Sequence, residues 1–110
     1  MSRIKVLISD DCKDYADLLS DFLSMNSDMQ VVGIAEDGVE TMEMLSKTNP
    51  DVLLLDLIMP NVDGLEVLRR IKSQYGSDLS VIVISALSEE DIIKKASRLA
   101  RNDIWSSPLI

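Results

Sequence analysis

The chain has 110 residues, of which 46% are hydrophobic, and a net charge of −8. These values predict one folded acidic domain over residues 1–110, and they disfavour direct nucleic-acid binding, which needs a basic surface. With no His and a single Cys, His-based catalysis, His-ligated metal sites and a disulfide framework are excluded. The apolar runs are too short to span a bilayer and no signal peptide is visible, so we expect a cytoplasmic protein without membrane contact.

Short apolar runs alternate along the chain with segments of helical periodicity. The predicted strands lie, in order, at residues 4–8, 31–35, 52–55 and 81–84. The predicted helices have the following apolar faces: Tyr15, Leu18, Leu19, Phe22 and Leu23; Val39, Met42 and Leu45; Leu65, Val67, Leu68 and Ile71; Ile92, Ile93, Ala96 and Leu99. Turn residues separate these segments, with Asp37-Gly38 before the second helix and Asn49-Pro50 after it.

This order predicts an α/β fold with a doubly wound parallel sheet of the flavodoxin-like type. The run from Val52 to Leu55 is apolar on both faces, as expected for a central strand covered by helices on both sides. A weak fifth strand is predicted at Ile104-Trp105. In such sheets ligands bind beyond the carboxyl ends of the strands, so the residues that follow each strand are the candidates for a functional site.

Acidic and hydroxyl side chains stand at those positions. Asp10 and Asp11 follow the first strand, Asp56 follows the third, and Ser85 follows the fourth. Each aspartate alone is better explained as a residue that ends a strand or caps a helix. Three crowded carboxylates, however, repel one another unless a cation neutralises them. Because Mg²⁺ is commonly held by one or two carboxylates with waters and phosphate oxygens, the set favours a Mg²⁺ site that also serves a phosphoryl group.

Three runs carry a resemblance to a known family: IKVLISDD at 4–11, DVLLLDLIMPNVDG at 51–64 and VIVISA at 81–86. With them the chain resembles the receiver domains of bacterial two-component response regulators. Within that family it is most similar to the receivers of sporulation master regulators, through DMQVVGIAED at 28–37 and the DLIMP run that begins at Asp56.

The resemblance implies a role for each site residue. Asp56 matches the phosphoacceptor, Asp11 a direct Mg²⁺ ligand, Asp10 a ligand that acts through water, the backbone carbonyl of Ile58 the last protein ligand, and Ser85 the switch hydroxyl. The phosphoryl donor implied is a phosphohistidine on a histidine kinase or a phosphotransfer protein. The chain would catalyse only its own phosphorylation and dephosphorylation, as a signalling protein rather than an enzyme. It would switch an output domain outside this chain, which we expect to regulate transcription.

The last residues depart from the family pattern. If Pro108 is aligned with the family's proline, Ser107 stands where a lysine is expected, and Ile104 takes the place of the aromatic switch residue. The family's fifth helix is missing, so we expect a receiver that is incomplete at its C-terminus. An apolar surface left open there would favour homodimers.

Two rivals and one exclusion accompany this interpretation. The first rival is a degenerate receiver-like interaction module that is not phosphorylated, which the absent lysine favours and the complete acid set opposes. The second is a haloacid-dehalogenase-type phosphatase, which needs a second aspartate two residues after the nucleophile, where this chain has Ile58. A dinucleotide-binding fold is excluded because the chain has no G-x-G-x-x-G motif.

Overall fold

The computed structural model describes residues 3–56, 64–76 and 78–84. In chain order the elements are β1 (Ile4–Ser9), α1 (Lys13–Ser24), β2 (Met29–Ala35), α2 (Gly38–Thr48), β3 (Val52–Leu55), α3 (Gly64–Tyr75) and β4 (Ser80–Val83). The predicted alternation of strands and helices is confirmed over these residues. Four predictions concern residues outside the described part of the chain: the helix with Ile92, Ile93, Ala96 and Leu99, the fifth strand at Ile104-Trp105, the absence of a fifth helix, and the surface expected to favour homodimers.

The four strands form one parallel sheet in the order β2-β1-β3-β4. The chain moves from β1 to β2 in one direction and then places β3 and β4 on the other side of β1. The order therefore reverses between β1 and β3, and in open α/β sheets this switch point opens the crevice in which ligands bind. The predicted doubly wound, flavodoxin-like class is confirmed, and the sheet places the ends of β1 and β3 side by side.

Two apolar layers cover the sheet. On one face Val6, Ile8 and Leu54 pack against residues of α1. On the other face Leu7, Leu53, Leu55, Leu45 of α2 and Leu68 and Ile71 of α3 form a second cluster. All four residues of β3 are fully buried, which confirms the prediction of a central strand covered on both sides. Because successive side chains of a strand point to opposite faces, an uninterrupted apolar run is what such a strand requires.

The ends of α2 lie where the turn residues predict them. Asp37 caps the first turn, where its side chain accepts a hydrogen bond from the backbone N–H of Glu40 (2.8 Å), and the Glu40 carboxylate accepts from the backbone N–H of Glu36 (2.9 Å). Asn49 ends the helix in the left-handed conformation, with φ of 50°. Asn tolerates this region better than most residues, so the helix stops there and β3 can begin.

Two residues assigned to inner helix faces are exposed instead. Leu18 and Val39 each have a relative exposure of 60%. The buried face of α1 consists of Ala16, Leu19 and Leu23, and successive helical residues are rotated by about 100°, which turns Leu18 away from that face. Among the residues that the structure describes, no helix combines the length and hydrophobicity needed to cross a membrane.

Candidate functional site

The predicted acidic residues meet at the switch point of the sheet. Asp10 and Asp11 directly follow β1, and Asp56 directly follows β3. The two strands are neighbours in register, with Ser9 opposite Leu55. The backbone N–H of Asp56 donates to the carbonyl oxygen of Ser9 (2.9 Å), and that of Asp10 donates to the carbonyl oxygen of Ala35 (2.9 Å). The sheet hydrogen bonding thus continues one residue past the strands and fixes the backbone from which two of the three carboxylates project.

One carboxylate oxygen from each of Asp10, Asp11 and Asp56 can be chosen so that all three lie within 4.8 Å of one another. The three side chains differ in burial, since Asp10 is 4% exposed, Asp56 is half-buried and Asp11 is exposed. The group is therefore open to solvent on the side of Asp11 and closed on the side of Asp10. An ion or a phosphoryl group can enter this site from solvent on the exposed side, while the carboxylate of Asp10 stays buried in the protein.

A backbone amide holds the buried carboxylate in place. The N–H of Cys12 donates to Oδ1 of Asp10 (2.9 Å), and Cys12 itself adopts an extended conformation as the residue that precedes α1. The sequence gives no sign of this contact, because every residue other than proline carries the same backbone donor. The Cys12 thiol is free and the residue is exposed.

Burial raises the pKa of Asp10 above its ordinary value of 3.8, and the negative charges of Asp56 and Asp11 and a hydrogen bond with Asp56 add to the rise. The hydrogen bond from the Cys12 backbone opposes the rise because it favours the ionised form. Burial and like charges prevail, so the pKa of Asp10 lies above that of a free aspartate in the metal-free protein. A cation bound beside Asp10 would lower that pKa.

This pKa shift makes the stability of the metal-free protein depend on pH. Since the folded state has the higher pKa, it retains the Asp10 proton over a pH range in which the unfolded chain has lost it. The contribution of Asp10 to the free energy of unfolding is therefore fully present below the pKa that Asp10 has in the unfolded chain. It falls as the pH rises through the pKa of Asp10 in the folded state, and it stays low above that pKa.

We expect Asp10→Asn to remove the loss of stability that Asp10 causes as the pH rises. The metal-free variant should therefore gain stability relative to the parent as the pH rises from about 4. Urea unfolding in EDTA across a pH series measures the difference. Asp14→Asn, at an exposed acid in the first turn of α1, is the matched control and should follow the parent. An Asp10→Asn difference that does not change with pH would contradict the assignment.

The donor set suits a hard divalent cation. Three carboxylate oxygens within 4.8 Å are the ligand type that Mg²⁺ and Ca²⁺ prefer, and Mg²⁺ usually keeps several waters beside one or two carboxylates. Asp10 is buried beside two other carboxylates, and a cation bound here would stabilise the folded protein because it offsets their repulsion. The other predicted site residues, Ile58 and Ser85, lie outside the described part of the chain, as does Ser107.

A model of the response regulator receiver domain family matches residues 6–108. Among solved structures, the chain is similar to the response regulator domain of CheB from Thermotoga maritima, with 24% identity and a TM-score of 0.77 over 90% of this chain and 97% of that one. The receiver domain of NarL from Mycobacterium tuberculosis is 23% identical, with a TM-score of 0.78 over 93% of this chain and 99% of that one.

A third similar structure is the isolated receiver domain of RcsB from Salmonella enterica serovar Typhimurium, solved in the presence of the phosphomimetic BeF3⁻. It is 22% identical, with a TM-score of 0.80 over 97% of this chain and 95% of that one. At these identities the three structures show that the fold is shared, and the family assignment rests on the family model.

Proposed function

The chain belongs to the family of response regulator receiver domains of two-component signalling, and on that premise we propose that it accepts a phosphoryl group on Asp56. The donor is a phosphohistidine on a histidine kinase or a phosphotransfer protein. The observation that carries the proposal is the convergence of Asp56 with Asp10 and Asp11 at the switch point of the sheet. Asp56 is half-buried rather than closed off, so a donor can approach it from solvent.

The proposed transfer forms one bond and breaks one. A carboxylate oxygen of Asp56 attacks the phosphorus, the bond between phosphorus and the donor imidazole nitrogen breaks, and its electron pair stays on that nitrogen. The product is an acyl phosphate on Asp56. The backbone hydrogen bond from Asp56 to Ser9 fixes the start of the nucleophile's side chain, which fits a reaction in which positioning and charge neutralisation supply most of the rate.

Asp10, Asp11, Asp56 and the backbone carbonyl of Ile58 are the residues proposed to hold Mg²⁺. When bound, Mg²⁺ offsets the negative charge of the carboxylates and of the phosphoryl oxygens, so that an anion can attack an anion. The Cys12 backbone keeps Asp10 oriented, and the Ser85 hydroxyl is proposed to donate to a phosphoryl oxygen and to move when the domain switches.

We also propose a wider role for the chain in signalling. The chain acts as a cytoplasmic signalling module that catalyses only its own phosphorylation and dephosphorylation, without contacting nucleic acid directly. Its state would be read by an output domain that regulates transcription. The DMQVVGIAED run at 28–37 and the DLIMP run from Asp56 support a place near the receivers of sporulation regulators.

Incubation with acetyl phosphate and Mg²⁺, followed by intact-mass measurement, tests the proposal. The expected result is the addition of one phosphoryl group with Mg²⁺ and little or none with EDTA. If no donor concentration labels the protein in the presence of Mg²⁺, the second candidate function, a receiver-like interaction module that is not phosphorylated, replaces the first. The observation that favours this second candidate is the serine at position 107, where the family has a lysine.

That serine gives a separate prediction about rates. A lysine at position 107 would add a positive charge for the phosphoryl group, so Ser107→Lys should speed labelling by about tenfold or more. Ser106→Lys, which adds the same charge one residue away, is the control and should change the rate little. A time course of intact mass with acetyl phosphate measures both. Equal rates for Ser107→Lys and the parent would show that this position does not reach the site.

A further inference from the structure

A pair of buried hydroxyl groups lies beside the acidic site. Ser9 and Thr41 are both fully buried, and with Asp10 they are the polar side chains buried within residues 3–56, 64–76 and 78–84. Ser9 is the last residue of β1 and Thr41 lies in the first turns of α2. Polar groups in an apolar layer cost stability unless they are hydrogen-bonded, so two of them at one place call for a physical reason.

The two hydroxyl groups form a chain of hydrogen bonds. Oγ of Ser9 and Oγ1 of Thr41 are 2.6 Å apart, and Oγ1 of Thr41 donates to the backbone carbonyl of Asp37 (2.7 Å). The chain therefore runs from the end of β1 through α2 to the residue that caps α2.

The backbone of Ser9 is in turn connected to the proposed phosphoacceptor. Its carbonyl oxygen accepts the hydrogen bond from the N–H of Asp56, and the next residue, Asp10, is bonded to Ala35 of β2. These sheet bonds lie in the plane of the sheet. The Ser9 side chain leaves that plane toward α2, as strand side chains do, and so restrains the end of β1 in the direction that the sheet bonds leave free.

We propose that Ser9 and Thr41 are positioning residues that hold the end of β1 against the repulsion among Asp10, Asp11 and Asp56. Repulsion among three carboxylates within 4.8 Å acts on the end of β1. The sheet bond from Asp56 to Ser9 opposes displacement within the sheet, and the 2.6 Å hydrogen bond between Ser9 and Thr41 opposes displacement out of it. The metal-binding part of this inference rests on the proposed function, while the positioning part concerns the metal-free protein.

Four variants separate the hydroxyl bond from simple packing. Thr41→Val keeps the shape and removes the hydroxyl, and Thr41→Ser restores the hydroxyl. Ser9→Ala combined with Thr41→Val replaces both partners by apolar groups, a change that can be nearly neutral for stability. This double variant allows the test to be made even if Thr41→Val alone fails to fold. Thr48→Val is the matched control, because Thr48 lies on the same helix and its hydroxyl donates to the Met44 carbonyl (2.8 Å) in the same way.

Two measurements are made on each variant, together with the free energy of unfolding. The first is the Mg²⁺ Kd from the dependence of the melting temperature on Mg²⁺ concentration. The second is hydrogen exchange of the Asp56 amide in EDTA, which needs neither metal nor phosphoryl group. We expect the double variant to unfold with a free energy close to the parent's, to bind Mg²⁺ about tenfold more weakly, and to exchange the Asp56 amide faster. Thr41→Ser and Thr48→Val should match the parent in both measurements.

Unchanged exchange of the Asp56 amide in the double variant would overturn the inference, whatever the metal measurement shows. So would an unchanged Mg²⁺ Kd in that variant when the parent binds Mg²⁺. If the parent shows no Mg²⁺ dependence at all, the metal part of the proposed function fails, and the amide exchange alone decides whether Ser9 and Thr41 position the site.

Discussion

Adding Mg²⁺ to about 100 times its Kd is expected to raise the free energy of unfolding of this protein by about 2.7 kcal/mol. The reason is the crowding of Asp10, Asp11 and Asp56 within 4.8 Å, with Asp10 almost fully buried. A cation that binds the folded state and not the unfolded chain stabilises by mass action. Urea unfolding at matched ionic strength, with NaCl in place of MgCl2 as the control, separates specific binding from general screening.

The same crowding predicts how the variants behave. Metal-free Asp56→Asn should melt at a higher temperature than the parent, because it removes one of three neighbouring charges. Asp11→Ala should weaken Mg²⁺ binding more than Asp10→Ala does, since Asp11 is proposed as the direct ligand. If metal-free Asp56→Asn melts below the parent, repulsion is not what governs this cluster and the argument for the cation loses its main support.

Replacement of Asp56 by asparagine should abolish phosphoryl labelling, because an amide oxygen is a poor nucleophile for phosphorus. Asp51→Asn provides a matched control. Asp51 directly precedes β3, as Asp56 directly follows it, and its exposed carboxylate accepts a hydrogen bond from the Lys5 backbone (2.8 Å) that an asparagine oxygen can also accept. A time course of intact mass with acetyl phosphate and Mg²⁺ compares the three proteins. Full labelling of Asp56→Asn would contradict the assignment of the phosphoacceptor.

The sequence predicts the parts of this fold that depend on local pattern. The uninterrupted apolar run of Val52 to Leu55 marked the central strand, and turn residues such as Asn49 marked the helix ends. The acidic cluster was also predictable, because parallel strands bring their carboxyl ends to one edge of the sheet. Residues that follow neighbouring strands must then lie close together whatever the detailed packing.

Other features depend on tertiary contacts that a linear pattern does not contain. Leu18 belongs to an apolar stripe in the sequence, yet which part of that stripe is buried depends on how α1 rotates against the sheet. The hydrogen bond between Ser9 and Thr41 joins residues 32 positions apart. The shift of register between Val6 and Leu7, where β1 pairs with β2, also arises only once the two strands are side by side.

The position of the phosphoryl group tests directly whether Asp56 is the phosphoacceptor. The parent protein is incubated with Mg²⁺ and acetyl phosphate, the acyl phosphate is reduced with borohydride, and the modified residue is located by peptide mass spectrometry. We expect a single modified residue, Asp56, and no modification in a sample prepared with EDTA. Modification at Asp10 or Asp11 instead, or none at any residue when Mg²⁺ and donor are in excess, would contradict this expectation.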